Sequence, residues 1–174
     1  MDLFDELNNL MAKHVFSPNK KMGQNFVISA SLLQKMVDAA GLSEKDTVLE
    51  VGPGVGFLTS ELLKKAKKVI AVELDSGLCK VLAEKFEKEI KSGKLELIEG
   101  NFLDLKLPKF DKIVSLPPYT ISSQLLFKVL ENEFETAVLV FQTEFVVKCL
   151  SKPGFKEFCP LAVMLDHYFD SEVL

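Results

Sequence analysis

Two kinds of apolar pattern follow one another along this chain. Leu3, Phe4, Leu7, Leu10 and Met11 recur at helical spacing behind Asp2, a residue suited to capping, and predict an amphipathic helix over residues 2–13. Residues 16–26 carry Pro18 and Gly23 and read as irregular. Ser29 is placed to cap a second helix whose apolar face is Leu32, Leu33, Met36, Val37 and Ala40, with Gly41 as its stop. Beyond it, short β-rich runs alternate with helical periods. The runs are 47–51, 68–74, 95–98, 112–116 and 136–141, and helices are predicted over 57–67, 76–90, 122–131 and 143–150. The apolar run 161–169 reads as a last strand.

Strands that are nearly continuous in Val, Ile and Leu, each followed by a helix, indicate a mostly parallel sheet covered on both faces, a doubly wound α/β fold. In such sheets ligands bind beyond the carboxyl ends of the strands, so chemistry is sought in the strand-to-helix turns. The reading divides the chain at residue 28. Residues 1–28 form an N-terminal helix and a basic segment, and residues 29–174 form the α/β core.

Length and composition narrow the function. With 174 residues, 48% apolar and 26% charged, the chain has the make-up of a domain that buries a real core. No stretch reaches the roughly 18 uninterrupted apolar residues of a membrane span. The acidic start Asp2, Asp5, Glu6 is unlike a targeting leader and points to a cytoplasmic protein. Cys79, Cys149 and Cys159 are odd in number and unpaired in spacing, which argues for small core residues rather than zinc ligands or a disulfide frame; no metal is expected. A formal charge of −4 excludes an indiscriminate nucleic-acid coat. Lys13, His14, Lys20 and Lys21 nevertheless gather positive charge near the front. His14 needs no role beyond the surface, and His167 reads as a partly buried packing residue.

Four turns stand out. Glu50-Val-Gly52-Pro-Gly54-Val-Gly56 follows the first strand, and its glycines remove side chains that would hold a ligand's polar end away from backbone N–H groups. The spacing is GxGxG, not the GxGxxG of dinucleotide sites. In Glu73-Leu74-Asp75, the first acid is placed to accept from vicinal ribose hydroxyls, and the second to cap the helix at 76. In the third turn, Asn101 is a candidate acceptor for an adenine amine and Phe102 a cover for the ring. The fourth, Ser115-Leu116-Pro117-Pro118-Tyr119, offers extended backbone with proline carbonyls as acceptors and one aromatic face for stacking.

Together these turns resemble a class I S-adenosylmethionine-dependent methyltransferase, and the fuller likeness is to the ribosomal RNA small-subunit adenine N6,N6-dimethyltransferase family. It is carried by residues 20–27 (KKMGQNFV), 49–59 (LEVGPGVGFLT), 72–75 (VELD), 118–123 (PYTISS) and 141–145 (FQTEF). The resemblance implies a Rossmann-like methyltransferase that binds S-adenosylmethionine and transfers methyl groups to adenine N6 in small-subunit ribosomal RNA. A monomer acting on the assembling subunit is expected. Gln24, Asn25 and Val27 would line the cofactor pocket, with Glu50 and Leu74 beside it. Gly52, Gly54 and Gly56 would face the methionine end, Glu73 the ribose, and Asn101 with Phe102 the adenine. Leu116, Pro117, Pro118 and Tyr119 would form the catalytic turn, and Lys13, Lys20 and Lys21 would meet RNA. Gln142 and Glu144 match a family position near the base pocket; Thr143 and Glu144 equally suit a helix cap.

The sequence departs from the family in three places. Asn101 stands where the family has Asp, which removes charge assistance worth about 1 kcal/mol. Leu116 stands where the family has Asn, and an aliphatic side chain cannot accept from the amine. Losing such a group costs roughly 2.7–4 kcal/mol in a transition state. Ser115 points to the opposite face of its strand and is no replacement. The chain also stops before the family's closing hairpin and helical domain. Three rival readings follow: a catalytically impaired member serving as a ribosome-assembly or RNA-binding factor, a nicotinamide-dependent oxidoreductase, and a DNA adenine methylase.

Overall fold

A computed structural model describes residues 2–18 and 23–174. Its elements run α1 (Leu3–His14), α2 (Ala30–Ala39), β1 (Thr47–Val51), α3 (Phe57–Lys65), β2 (Lys68–Glu73), α4 (Ser76–Lys85), α5 (Glu87–Lys91), β3 (Leu95–Glu99) and β4 (Lys112–Ser115). A 3-10 turn (Tyr119–Ile121), α6 (Ser122–Leu130), β5 (Thr136–Leu139), α7 (Thr143–Cys149) and α8 (Pro160–Tyr168) complete them. The chain forms two compact units, Met1–Val140 and Phe141–Leu174.

In the first unit the strands make one parallel sheet in the order β3-β2-β1-β4-β5. Val48, Leu49, Val69, Ile70, Ile113 and Val114 are buried, as strands covered on both faces require. The order reverses between β1 and β4, and that reversal opens a crevice at the carboxyl ends of those two strands. Main-chain pairing of β1 with β4 covers Val48↔Lys112 and Leu49↔Ile113. At the strand tips Ser115 takes over. Its hydroxyl donates to the Val51 carbonyl at 2.6 Å and accepts from the Val51 N–H at 3.2 Å.

Local signals act as expected at several helix starts. Ser29 accepts from Leu32 N–H, and Asp75 accepts from Gly77 and Leu78 N–H. Asp2 occupies the capping position of α1 but makes no side-chain cap. The helix expected over 76–90 is divided at Phe86, where φ −114° and ψ 30° leave the helical region while the ring is buried.

The second unit corrects the reading of residues 161–169. Residues 161–168 lie in the helix α8, not a strand, and Phe169 follows it in extended backbone. Pro160 sits in its first turn behind the extended Cys159, a helix-start arrangement that outweighs a short apolar run of ambiguous period. His167, expected to be partly buried, is exposed on this helix with its ring edge-on to Tyr168. Gln142 occupies the capping position of α7 without a side-chain cap, and Glu144 lies in the first turn. Cys79, Cys149 and Cys159 are free thiols, the first two buried. Among the described residues, no helix is long and apolar enough to cross a membrane and no group of three or more His, Cys, Asp or Glu side chains gathers as a metal site.

Candidate functional site

The crevice between β1 and β4 widens into a cavity of about 870 Å³, part of it open to solvent, within the first unit. Its walls come from the segment 23–27, the loop 52–55, the end of β2, the turn 116–119 and Val140.

The glycine loop is held from several sides. Gly52, Gly54 and Gly56 have φ values of 70°, 61° and 79°, a region costly for any residue with a Cβ. Gly52 N–H donates to Val72 O at 2.9 Å, Gly54 N–H to Glu73 Oε2 at 3.2 Å, and Gly56 N–H to Pro53 O at 2.9 Å. The bare sides of these glycines face protein. A Cβ on Gly52 would lie 3.0 Å from Pro118 Cδ, and one on Gly54 3.1 Å from the Phe26 ring. One on Gly56 would lie 2.5 Å from Phe86 Cε2. Gly56 is not a lining residue; it is the capping residue of α3. The loop therefore needs glycine for close packing as much as for ligand approach.

Two carboxyl groups border the cavity. Glu73, at the end of β2, accepts from Gly54 N–H through Oε2 and from Asp75 N–H through Oε1 at 2.9 Å. The two oxygens together offer about four lone-pair sites, more than these backbone donors use. Burial pushes its pKa up, against the pull of those backbone donors. Glu50, only 2% exposed, accepts from the Thr59 hydroxyl at 2.7 Å. Burial, with the negative charge of Glu73 adding to it, raises its pKa from 4.5 to about 8. Glu50 is thus a largely protonated wall of the site at neutral pH.

The front segment reaches the same place. Gln24, Asn25 and Val27 line the cavity, and Gln24 Nε2 donates to Asp75 Oδ2 at 3.0 Å. One carboxylate therefore caps α4 and anchors this strap. Leu74 lines the cavity while remaining exposed. Leu116, Pro117, Pro118 and Tyr119 all line it as well, and Tyr119 is 37% exposed. Pro118 O already accepts from Ile121 N–H at 3.2 Å within the 3-10 turn, so its carbonyl is partly engaged. Ser115 is fully buried on Val51 and offers nothing to the cavity.

Asn101 and Phe102 stand apart. Asn101 Oδ1 accepts from Leu103 N–H and its amide donates to Asp104, a local turn outside the cavity lining. Phe102 is 3% exposed under the ammonium of Lys128. Lys13 is paired with Glu84, which His14 Nε2 also approaches at 3.6 Å. Lys20 and Lys21 lie outside the described residues. Phe26 and Lys85, which touch the glycine loop, escape a reading of the sequence because their partners lie some 28–30 positions away and no local pattern marks the contact.

The model of the ribosomal RNA adenine dimethylase family matches residues 15–174. The chain belongs to that family. A probable ribosomal RNA small subunit methyltransferase A of Thermococcus gammatolerans is 44% identical over 161 residues, covering 92% of this chain and 56% of that protein. Among solved structures, a dimethyladenosine transferase from Plasmodium falciparum superposes with a TM-score of 0.71 at 35% identity, over 79% of this chain and 50% of that one. The 23S rRNA methyltransferase ErmE gives 0.65 at 34%, over 71% and 50%. The fold is accordingly the Rossmann-like class I methyltransferase fold, and the chain spans between half and three fifths of the length of these dimethylase relatives.

Proposed function

We propose that this chain binds S-adenosylmethionine in the β1/β4 crevice and directs its methyl group to adenine N6 of small-subunit ribosomal RNA, in the cytoplasm. One observation carries the reading: glycine loop, ribose-type acid and Pro-Tyr turn converge on one cavity at the switch point of the sheet. The chemistry of the lining suits the cofactor, since the Glu73 carboxyl, backbone of a glycine loop and apolar side chains border one cavity. Gln24, Asn25, Val27, Gly52, Gly54, Glu73 and Leu74 would hold it. When bound, its sulfonium methyl is the electrophile, and no metal is needed.

The chain's own residues then position and desolvate. Tyr119 offers its face to an unstacked purine, the arrangement that chemistry on a base requires. The backbone of Pro117 and Pro118 supplies carbonyl acceptors for an amine N–H, with one lone pair of Pro118 taken by the turn. Leu116 supplies none. A second reading rests on that residue: an impaired member whose surviving task is docking on an assembling small subunit, since neither Leu116 nor the clasped Ser115 can grip the amine.

Transfer of radiolabel from the cofactor to immature small subunits lacking the modification tests the first reading. Label in adenine supports it; calorimetric titration showing binding of a nicotinamide dinucleotide alone would overturn it. Leu116→Asn separates the two readings. A rise in transfer of about 100- to 1,000-fold from a near-silent chain supports the impaired member, and loss of activity from a working chain rules that out.

A further inference from the structure

Lys85 lies on α4 outside the cavity lining, and three surroundings meet on its ammonium. Nζ donates to the carbonyl of Val55, the residue between Gly54 and Gly56, at 3.2 Å. It pairs with Glu6 of α1 at 2.8 Å, with both side chains largely buried. It also lies over the faces of Phe57, at 4.9 Å, and Phe86, at 5.4 Å. Phe86 is the ring that closes on Gly56, and Phe57 opens α3 directly after the loop.

A peptide unit has two ends. Holding the Val55 carbonyl towards Lys85 fixes the plane of the Val55–Gly56 peptide, whose Gly56 N–H is already committed to Pro53 O. The remaining loop donors are then aimed by default. Glu6 in turn holds the ammonium in place, so α1, which begins before the residues matched by the family model, is tied to the loop that borders the cavity.

We propose that Lys85 is a positioning residue for the cofactor loop and that α1, through Glu6, keeps it in register. This rests on the reading of the cavity as a site for S-adenosylmethionine. The ion pair is partly desolvated and Lys85 has further contacts of its own, so it is better suited to orienting a loop than to raising stability.

Calorimetric titration with S-adenosylmethionine, run beside thermal unfolding of the cofactor-free chain, tests the link. Lys85→Met keeps an apolar stem beside the rings but removes the ammonium with its carbonyl, carboxylate and cation–π contacts, and the expected result is a rise in Kd of about tenfold, the scale of one hydrogen bond to a charged group. Lys85→Arg restores affinity to within about threefold of wild type by reaching the same carbonyl, and Glu6→Gln gives an intermediate loss. A merely structural lysine would lower the melting temperature and leave Kd where it was, and that result overturns the proposal. Should Lys85→Met not fold, Glu6→Gln decides, with an unchanged Kd overturning the link. Absence of binding by the wild-type chain would overturn the cofactor reading itself, whereas binding by wild type with equal affinity in all variants overturns only the role of Lys85.

Discussion

Replacing Glu50 by glutamine isolates the protonation of one buried carboxyl. Glu50 is 2% exposed, accepts from Thr59, and titrates at about 8 in the folded chain against 4.5 ordinarily. The folded state therefore holds the proton more tightly than the unfolded one. This contribution to stability is fully present below pH 4.5 and is lost as pH rises to about 8. Each pKa unit corresponds to 1.36 kcal/mol, so the full span is worth on the order of 5 kcal/mol, and about 4 kcal/mol of it falls between pH 5 and 8. The Glu50→Gln side chain carries no titrating proton, keeps a carbonyl for Thr59, and resembles the protonated acid in shape. Urea unfolding of both chains at pH 5, 6, 7 and 8 and constant ionic strength gives the comparison. At pH 5 the two agree to within about 1 kcal/mol, and the variant then gains on wild type by about 1.4 kcal/mol per unit. Glu73 also has a raised pKa, but it titrates in both chains and its slope largely cancels in the difference. A difference that stays flat from pH 5 to 8 would refute the assignment of Glu50 as a protonated wall.

Substitutions at three other sites test the loop, a comparison glycine and the strap. Gly56→Ala places a methyl 2.5 Å from Phe86 in a left-handed backbone and should cost about 2–4 kcal/mol by urea denaturation. Gly41→Ala, with φ +54° and nothing within 4 Å, should cost only about 1–2 kcal/mol. Asp75→Ala removes the α4 cap and the anchor of Gln24. It should lower stability by about 0.5–2 kcal/mol and also speed proteolysis of the segment around Gln24, whereas Asp75→Asn keeps an amide oxygen for the cap and spares stability while putting an NH2 where Oδ2 accepted from Gln24.

Features that depend on neighbours in the chain are legible in the sequence. The apolar runs of β1 to β5 appear within one or two residues of their expected places, Ser29 and Asp75 cap as expected, and the glycine loop, Glu73 and the Pro-Pro-Tyr turn meet at one cavity. Long-range packing is not legible. The break at Phe86 carries no glycine or proline, because the helix ends there to bring a ring against Gly56. Lys85 looks like any helix-surface lysine until α1 is placed against it. The 161–169 run misleads for a different reason: Pro160 does signal a helix start, but five consecutive apolar residues mask a helical period. Asn101 and Phe102 follow the third strand as expected, yet a local turn draws the amide to Leu103 and Asp104.

The hydroxyl of Ser115 has one more consequence. It completes the seam between β1 and β4 with a side chain at the point where the backbones begin to diverge. The gape of the crevice is thus set by a group two bonds removed from the main chain, whose one O–H is spent on Val51 and whose oxygen is buried away from the cavity. With the Ser115 hydroxyl held in the seam, position 116 is the place in this turn where a side-chain acceptor could face the cavity, beside the carbonyls of Pro117 and Pro118.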